Sequence, residues 1–194
     1  MNKLFYVSFF VSLCFFISCS VANSSSANSA IENILNRKSV RKYSDKKVEK
    51  EKIDTILRCA MAAPSAMNKQ PWQLLVVTDK EKLEKIAKIS PNASYAKNSQ
   101  VTIIVCGDKT ISDKFWEQDC CAVTENILLA AEALDLGAVW CAVYPLDEKV
   151  LGIKNIFNLP ENIVPLNIIP IGYPFTKEEP KQKYDAKKVH NNNW

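Results

Sequence analysis

Between Glu49 and Tyr173 the apolar residues switch repeatedly from helix-spaced stripes to short β-branched runs, and this alternation limits the fold more than any other feature. Ile53, Ile56, Leu57, Ala60 and Met61 recur at helical spacing, which predicts a core-facing helix over Glu49–Ala63 that Pro64 stops. Trp72–Thr78 reads as a strand, and Asp79 caps a charged helix through Ile89. Val101–Gly107 predicts a buried strand, Trp116–Leu136 a long helix closed by Gly137, and Ala138–Tyr144 another strand. Asp147 opens a helix that ends before Pro160. The last apolar run, Val164–Tyr173, contains Pro165 and Pro170, which suit an edge strand or an irregular one. Helices interleaved with strands along one continuous stretch predict a three-layer α/β/α sandwich. This pattern alone allows a parallel sheet.

Ahead of that stretch, Ser29 reads as a helix cap with Glu32 three residues later, and Ile31, Ile34 and Leu35 share one face. Lys3 precedes an apolar run from Leu4 to Ile17 and a small, polar run from Ser18 to Ser29, the layout of a secretory signal. The apolar run is shorter than the roughly 20 residues that a membrane-spanning helix needs. Phe16-Ile17-Ser18-Cys19 resembles a bacterial lipoprotein cleavage box. The expectation is export, with cleavage before a lipidated Cys19 that serves as membrane tether, to the periplasm or a membrane-anchored position. Residues 1–29 are then leader and tether, and residues 30–194 the domain.

Several classes of function are disfavoured. A formal net charge of +4 is too small to argue for nucleic acid. The seven cysteines contain no CxxC pair, so neither a zinc site nor a disulfide framework is expected, and the adjacent Cys120 and Cys121 read as packing. With four glycines there is no room for a glycine-rich dinucleotide-binding fingerprint.

Two polar stretches stand out. In Arg37-Lys38-Ser39-Val40-Arg41, the two arginines are four apart, so a continued helix would project both guanidinium groups from one side, with a hydroxyl between them in sequence. Such a group suits a phosphomonoester, and it equally suits a solvated basic face. The loop Ala62–Trp72 has its path fixed by Pro64 and Pro71, and offers Ser65 and Asn68 either to a flat polar ligand or to its own backbone.

Together with Glu125-Asn126, Leu128–Ala131 and Gly137–Pro145, and with the closing Val189–Trp194, these stretches resemble the FMN-dependent nitroreductase family, in its short-chain form, from about Ile31 onward. The resemblance implies an α+β fold with helices on both faces of a largely antiparallel sheet. It also implies a homodimer with two FMN molecules in the interface. Arg37, Lys38, Ser39 and Arg41 match the stretch that holds the FMN phosphate and ribityl chain, and Lys181 or Lys183 a basic tail residue that reaches the phosphate. Pro64, Ser65, Ala66 and Asn68 match a loop beside the isoalloxazine ring, reached from the other subunit. Val139, Trp140, Cys141 and Ala142 match a stretch that lines the ring through its backbone. Longer family members carry an acidic residue and a glycine where Ala142 and Val143 stand, so only backbone contacts carry over.

The implied activity is ping-pong transfer of electrons from NAD(P)H through FMN to a small oxidised acceptor such as a nitroaromatic or quinone. No metal, side-chain nucleophile or essential histidine is expected, and His190 reads as structural or solvated. The competing expectation is an envelope lipoprotein that uses the fold as a flavin-binding or scaffold module.

Overall fold

The computed structural model describes residues 26–194. The expected signal, cleavage box and Cys19 lie outside them. In chain order the elements are α1 Ser26–Asn36, α2 Lys50–Met61, β1 Trp72–Val77, α3 Lys80–Ile89, a 3-10 segment Pro91–Asn98, β2 Val101–Asp108, α4 Trp116–Ala133, β3 Gly137–Ala138, β4 Cys141–Ala142, α5 Asp147–Phe157 and β5 Ile163–Gly172. Every ladder among them is antiparallel, in the order β1-β2-β5-β3, with β4 also on β5. The parallel alternative is thereby removed.

Strand alternation divides the core between the two faces. Ile103, Val105, Ile169 and Ile171 pack with Ile56 and Ala60 of α2 and with Val123 and Ile127 of α4. Ile104, Cys106 and Ile168 pack on the other side with Leu83 and Ile86 of α3 and Ile153 of α5. Successive side chains of β2 therefore enter opposite layers, which is why its sequence is apolar throughout. Each buried isoleucine contributes roughly 1.5 to 3 kcal/mol of transfer free energy.

Several expectations change. Ser29 lies inside α1, which starts at Ser26. Ile31, Ile34 and Leu35 on that helix are 57%, 56% and 68% exposed, so their shared apolar face is left uncovered by the described residues. The long helix stops at Ala133, because Asp135 takes the left-handed turn at φ 59 that glycine usually supplies. Gly137 instead opens β3, where a Cβ would meet Val40 at 2.6 Å, so glycine is needed for close approach.

The strand expected over Ala138–Tyr144 is two short pieces with Val139 and Trp140 between them. β5 is central rather than an edge strand. It tolerates Pro165 at a register shift against β2, opposite Cys106, while Pro170 lies level with the gap between β3 and β4 where no ladder needs its N–H.

Candidate functional site

α1 ends at Asn36, and the basic stretch runs on extended, so the helical spacing argument for Arg37 and Arg41 does not apply. Ser39 bridges Ala138, and the Val40 N–H donates to the Ala138 carbonyl at 2.9 Å. On an extended chain Arg37, Ser39 and Arg41 fall on one side by period-two alternation, and Val40 is buried on the other. The same three residues are grouped, by a different geometry.

Arg37, Lys38, Ser39 and Arg41 line one cleft of about 180 Å³ with Lys181, Lys183, Glu178 and Glu179. The tail lysines and the basic stretch are thus brought together. Arg37 Nε lies 3.5 Å from Glu125, and Lys38 Nζ 2.8 Å from Glu132, both on α4. Arg41 makes no ion pair among the described residues; it donates to the Ser39 carbonyl at 3.3 Å and lies over the Tyr95 ring at 5.9 Å. Five cationic side chains against two carboxylates leave a net positive cleft with a hydroxyl, a donor set that fits a phosphomonoester. Its volume suits the phosphate and the adjoining chain of FMN but not the three-ring head.

The loop behind Pro64 is strained. Met67, Asn68 and Gln70 have φ of 52, 53 and 50, the left-handed region, in non-glycine residues. Ser65 Oγ accepts the Gln70 N–H at 3.0 Å, Asn68 Oδ1 accepts from Gln70 Nε2 at 2.8 Å, and the Ala66 N–H donates to Asp119 Oδ1 at 2.9 Å. Ser65 and Ala66 are half-buried, while Pro64 and Asn68 are exposed.

Asp119 is the site residue that sequence reasoning missed. A carboxylate in the first turn of an apolar helix looks like a dipole partner, and only the fold brings the loop to it. None of Pro64–Asn68 lines the basic cleft. Along α4, Glu125 and Glu132 lie about 9 and 20 Å beyond Asp119 at the usual helical rise. Within one chain the loop and the cleft are therefore separate.

Val139 and Trp140 stand outside both short ladders, so their peptide groups are not committed to the sheet. Val139 and Cys141 are buried, whereas Trp140 and Ala142 reach the surface. This is how an apolar stretch can present backbone to a flat ligand. Burial pushes the Cys141 thiol up to about 11, despite the opposing pull of Arg41 and Lys149. Burial likewise drives Cys106 up to about 12, and raises Cys120 and Cys121. Raised thiols of this kind keep their protons near pH 7, which disfavours the nucleophilic thiolate. His190 stacks on Trp194 with ring centroids 4.2 Å apart. Among the described residues no group of three or more metal-ligating side chains gathers, and no helix is long and apolar enough to cross a membrane.

Residues 34–98 and 92–173 match the family model described as Nitroreductase family. A protein of Methanothermobacter thermautotrophicus, provisionally named NADH dehydrogenase/NAD(P)H nitroreductase, is 43% identical over 84% of this chain and 87% of its own length. A crystal structure under the same provisional name from Bacteroides thetaiotaomicron superposes with a TM-score of 0.84, at 51% identity over 86% of this chain and 99% of that one. An FMN-dependent nitroreductase from Clostridium difficile R20291 gives 0.80 at 33% identity, covering 84% and 99%.

Proposed function

The chain belongs to the nitroreductase family, and from that premise we propose that it is an FMN-dependent oxidoreductase passing electrons from NAD(P)H to a small oxidised acceptor, a nitroaromatic or a quinone. The observation that carries the reading is the convergence of Arg37, Ser39, Arg41, Lys181 and Lys183 on one cleft beside the uncommitted backbone of Val139 and Trp140. When bound, FMN supplies the hydride chemistry. This chain's own residues do the holding: the basic cleft neutralises the phosphate, Ser39 adds a hydrogen bond, and the 139–142 backbone faces the ring. Lysine at 181 or 183 supplies charge without the bidentate fork of arginine. Cys106, Cys120, Cys121 and Cys141, all raised by burial, keep their protons and take no covalent part.

The working unit is a homodimer. One chain walls the phosphate end alone, and its strained loop at Ser65 and Asn68 sits away from that cleft, as a contribution across an interface requires. The exposed face of Ile31, Ile34 and Leu35, together with a shallow patch of Cys59, Ala62, Leu129 and Ala130, offers the apolar surface that a second copy would cover. The names of the relatives give no support to a scaffold without turnover.

Ping-pong kinetics test the proposal. Double-reciprocal plots at several acceptor concentrations should be parallel, and intersecting lines would require both substrates to be bound together.

The apolar run Leu4–Ile17 and the Ser18-Cys19 junction support export, with residues 1–29 as leader and tether and lipid on Cys19, leaving residues 30–194 as the domain in the periplasm or anchored at a membrane. Mass spectrometry of the mature N-terminus decides this: a lipidated Cys19 is expected, and an intact Met1 would refute it.

A further inference from the structure

A second cleft, of about 500 Å³, opens on the other side of Arg41, which lines both. Lys42, Lys80 and Lys97 enter it from three separate segments, and Asp45 is the only carboxylate in its lining. Lys38 and Lys50, by contrast, are held in ion pairs with Glu132 and Asp54. The side chains of Lys42, Lys80 and Lys97 have no ion pair or hydrogen bond among the described residues. With Arg41, four cations then line the cleft against the single carboxylate of Asp45, an excess of positive charge that favours a bound anion.

The cleft also holds an aromatic platform. Phe175 is 69% exposed, and its backbone is anchored: its N–H donates to the Lys42 carbonyl at 3.0 Å, and Pro174 bridges Tyr43. An exposed ring on an anchored backbone beside unpaired lysines has the chemistry that recognises a nucleotide, with stacking for the base and charge for its phosphates. The cleft adjoins the proposed ring-lining stretch as well. Arg41 lies over Tyr95 of the Pro91–Asn98 segment, close enough to Cys141 to pull on its thiol.

We propose that this cleft takes the adenosine end of NADPH, with Lys42, Lys80 and Lys97 on its phosphates and Phe175 beneath the adenine. It thereby selects NADPH over NADH through the 2′-phosphate. The inference rests on the reductase reading above and adds the donor's specificity to it.

Calorimetric titration of the FMN-loaded protein with adenosine 2′,5′-bisphosphate, adenosine 5′-monophosphate and inorganic phosphate reads the cleft without turnover. The bisphosphate should bind at least about tenfold more tightly than either other probe, since the 2′-phosphate adds charge-assisted contacts. The triple variant K42Q/K80Q/K97Q, altered only at exposed side chains, should lose that margin and with it the preference of KM for NADPH over NADH.

Equal binding of bisphosphate and monophosphate would overturn the proposal, as would inorganic phosphate binding as tightly as the bisphosphate, or a triple variant that keeps the margin. A Phe175→Ala protein should bind the bisphosphate more weakly. If it dissociates into monomers with nucleotide affinity unchanged, the ring belongs to the subunit contact and the adenine role is wrong. Any of these failures with FMN uptake intact sinks this inference alone, whereas a protein that takes up no FMN sinks the reductase reading.

Discussion

The Asp119 carboxylate on α4 accepts the Ala66 backbone N–H at 2.9 Å, tying a core helix to a loop that carries three left-handed non-glycine residues. Asp119 is 5% exposed, and its second oxygen has no hydrogen-bond partner among the described residues. A buried carboxylate kept for one backbone contact marks the loop's path as worth holding. Asp119→Ala strands the Ala66 N–H and should cost about 1 to 3 kcal/mol in urea unfolding. Asp119→Asn keeps an acceptor oxygen and should retain most of that stability. Hydrogen exchange at the Ala66 amide is the local readout, and equal protection in both variants would detach Asp119 from the loop.

Arg41 joins the two clefts and has no carboxylate partner among the described residues. Arg41→Glu should weaken FMN binding by more than tenfold, through loss of a charge-assisted contact of roughly 1.5 to 3 kcal/mol and added repulsion. Fluorescence quenching on titration with FMN measures it. Unchanged affinity would leave the basic stretch a solvated face.

The layers and most elements were legible because β-branched runs and helical stripes have different periods: β2, α2 and the Asp79 cap of α3 fall where the pattern puts them. The centrality of β5 was not, since whether a proline strand is tolerated depends on a register shift and a neighbouring gap that only pairing creates. Arg37, Ser39 and Arg41 were found as a group but for a helical reason, when extended chain does the grouping. Asp119 was missed because the loop it holds lies far away in sequence, and the proposed grouping of Lys42, Lys80, Lys97 and Phe175 likewise joins segments that meet only in space.

Lys177–Trp194 runs over the surface, with Tyr184 and Trp194 almost fully exposed. Such aromatics on a tail should be covered by the partner subunit. Deleting the residues after Lys177 should convert a dimer to a monomer in sedimentation and lower FMN affinity. A full-length monomer with flavin fully bound would contradict the interface account.

Alkaline pH should loosen the fold before most carboxylate or lysine pairs respond. Burial raises Cys106 from its ordinary 9.0 to about 12 and Cys141 to about 11. A raised folded value means the native thiol keeps its proton where the unfolded one has lost it, so stability is full below pH 9 and falls as pH climbs toward 11 and 12. Each pH step in that window weakens the fold by up to about 1.4 kcal/mol for each such thiol. Urea midpoints should therefore decline from about pH 9 upward, and less steeply in Cys106→Ala. Parallel declines would assign the effect to other groups.

The absorption spectrum of the bound flavin tests the central claim most directly. The protein incubated with FMN and freed of excess should stay yellow, bleach under anaerobic NADPH, and regain its colour when a nitroaromatic or quinone is added. A protein that retains no FMN, or whose bound flavin stays yellow with both NADPH and NADH, would contradict it.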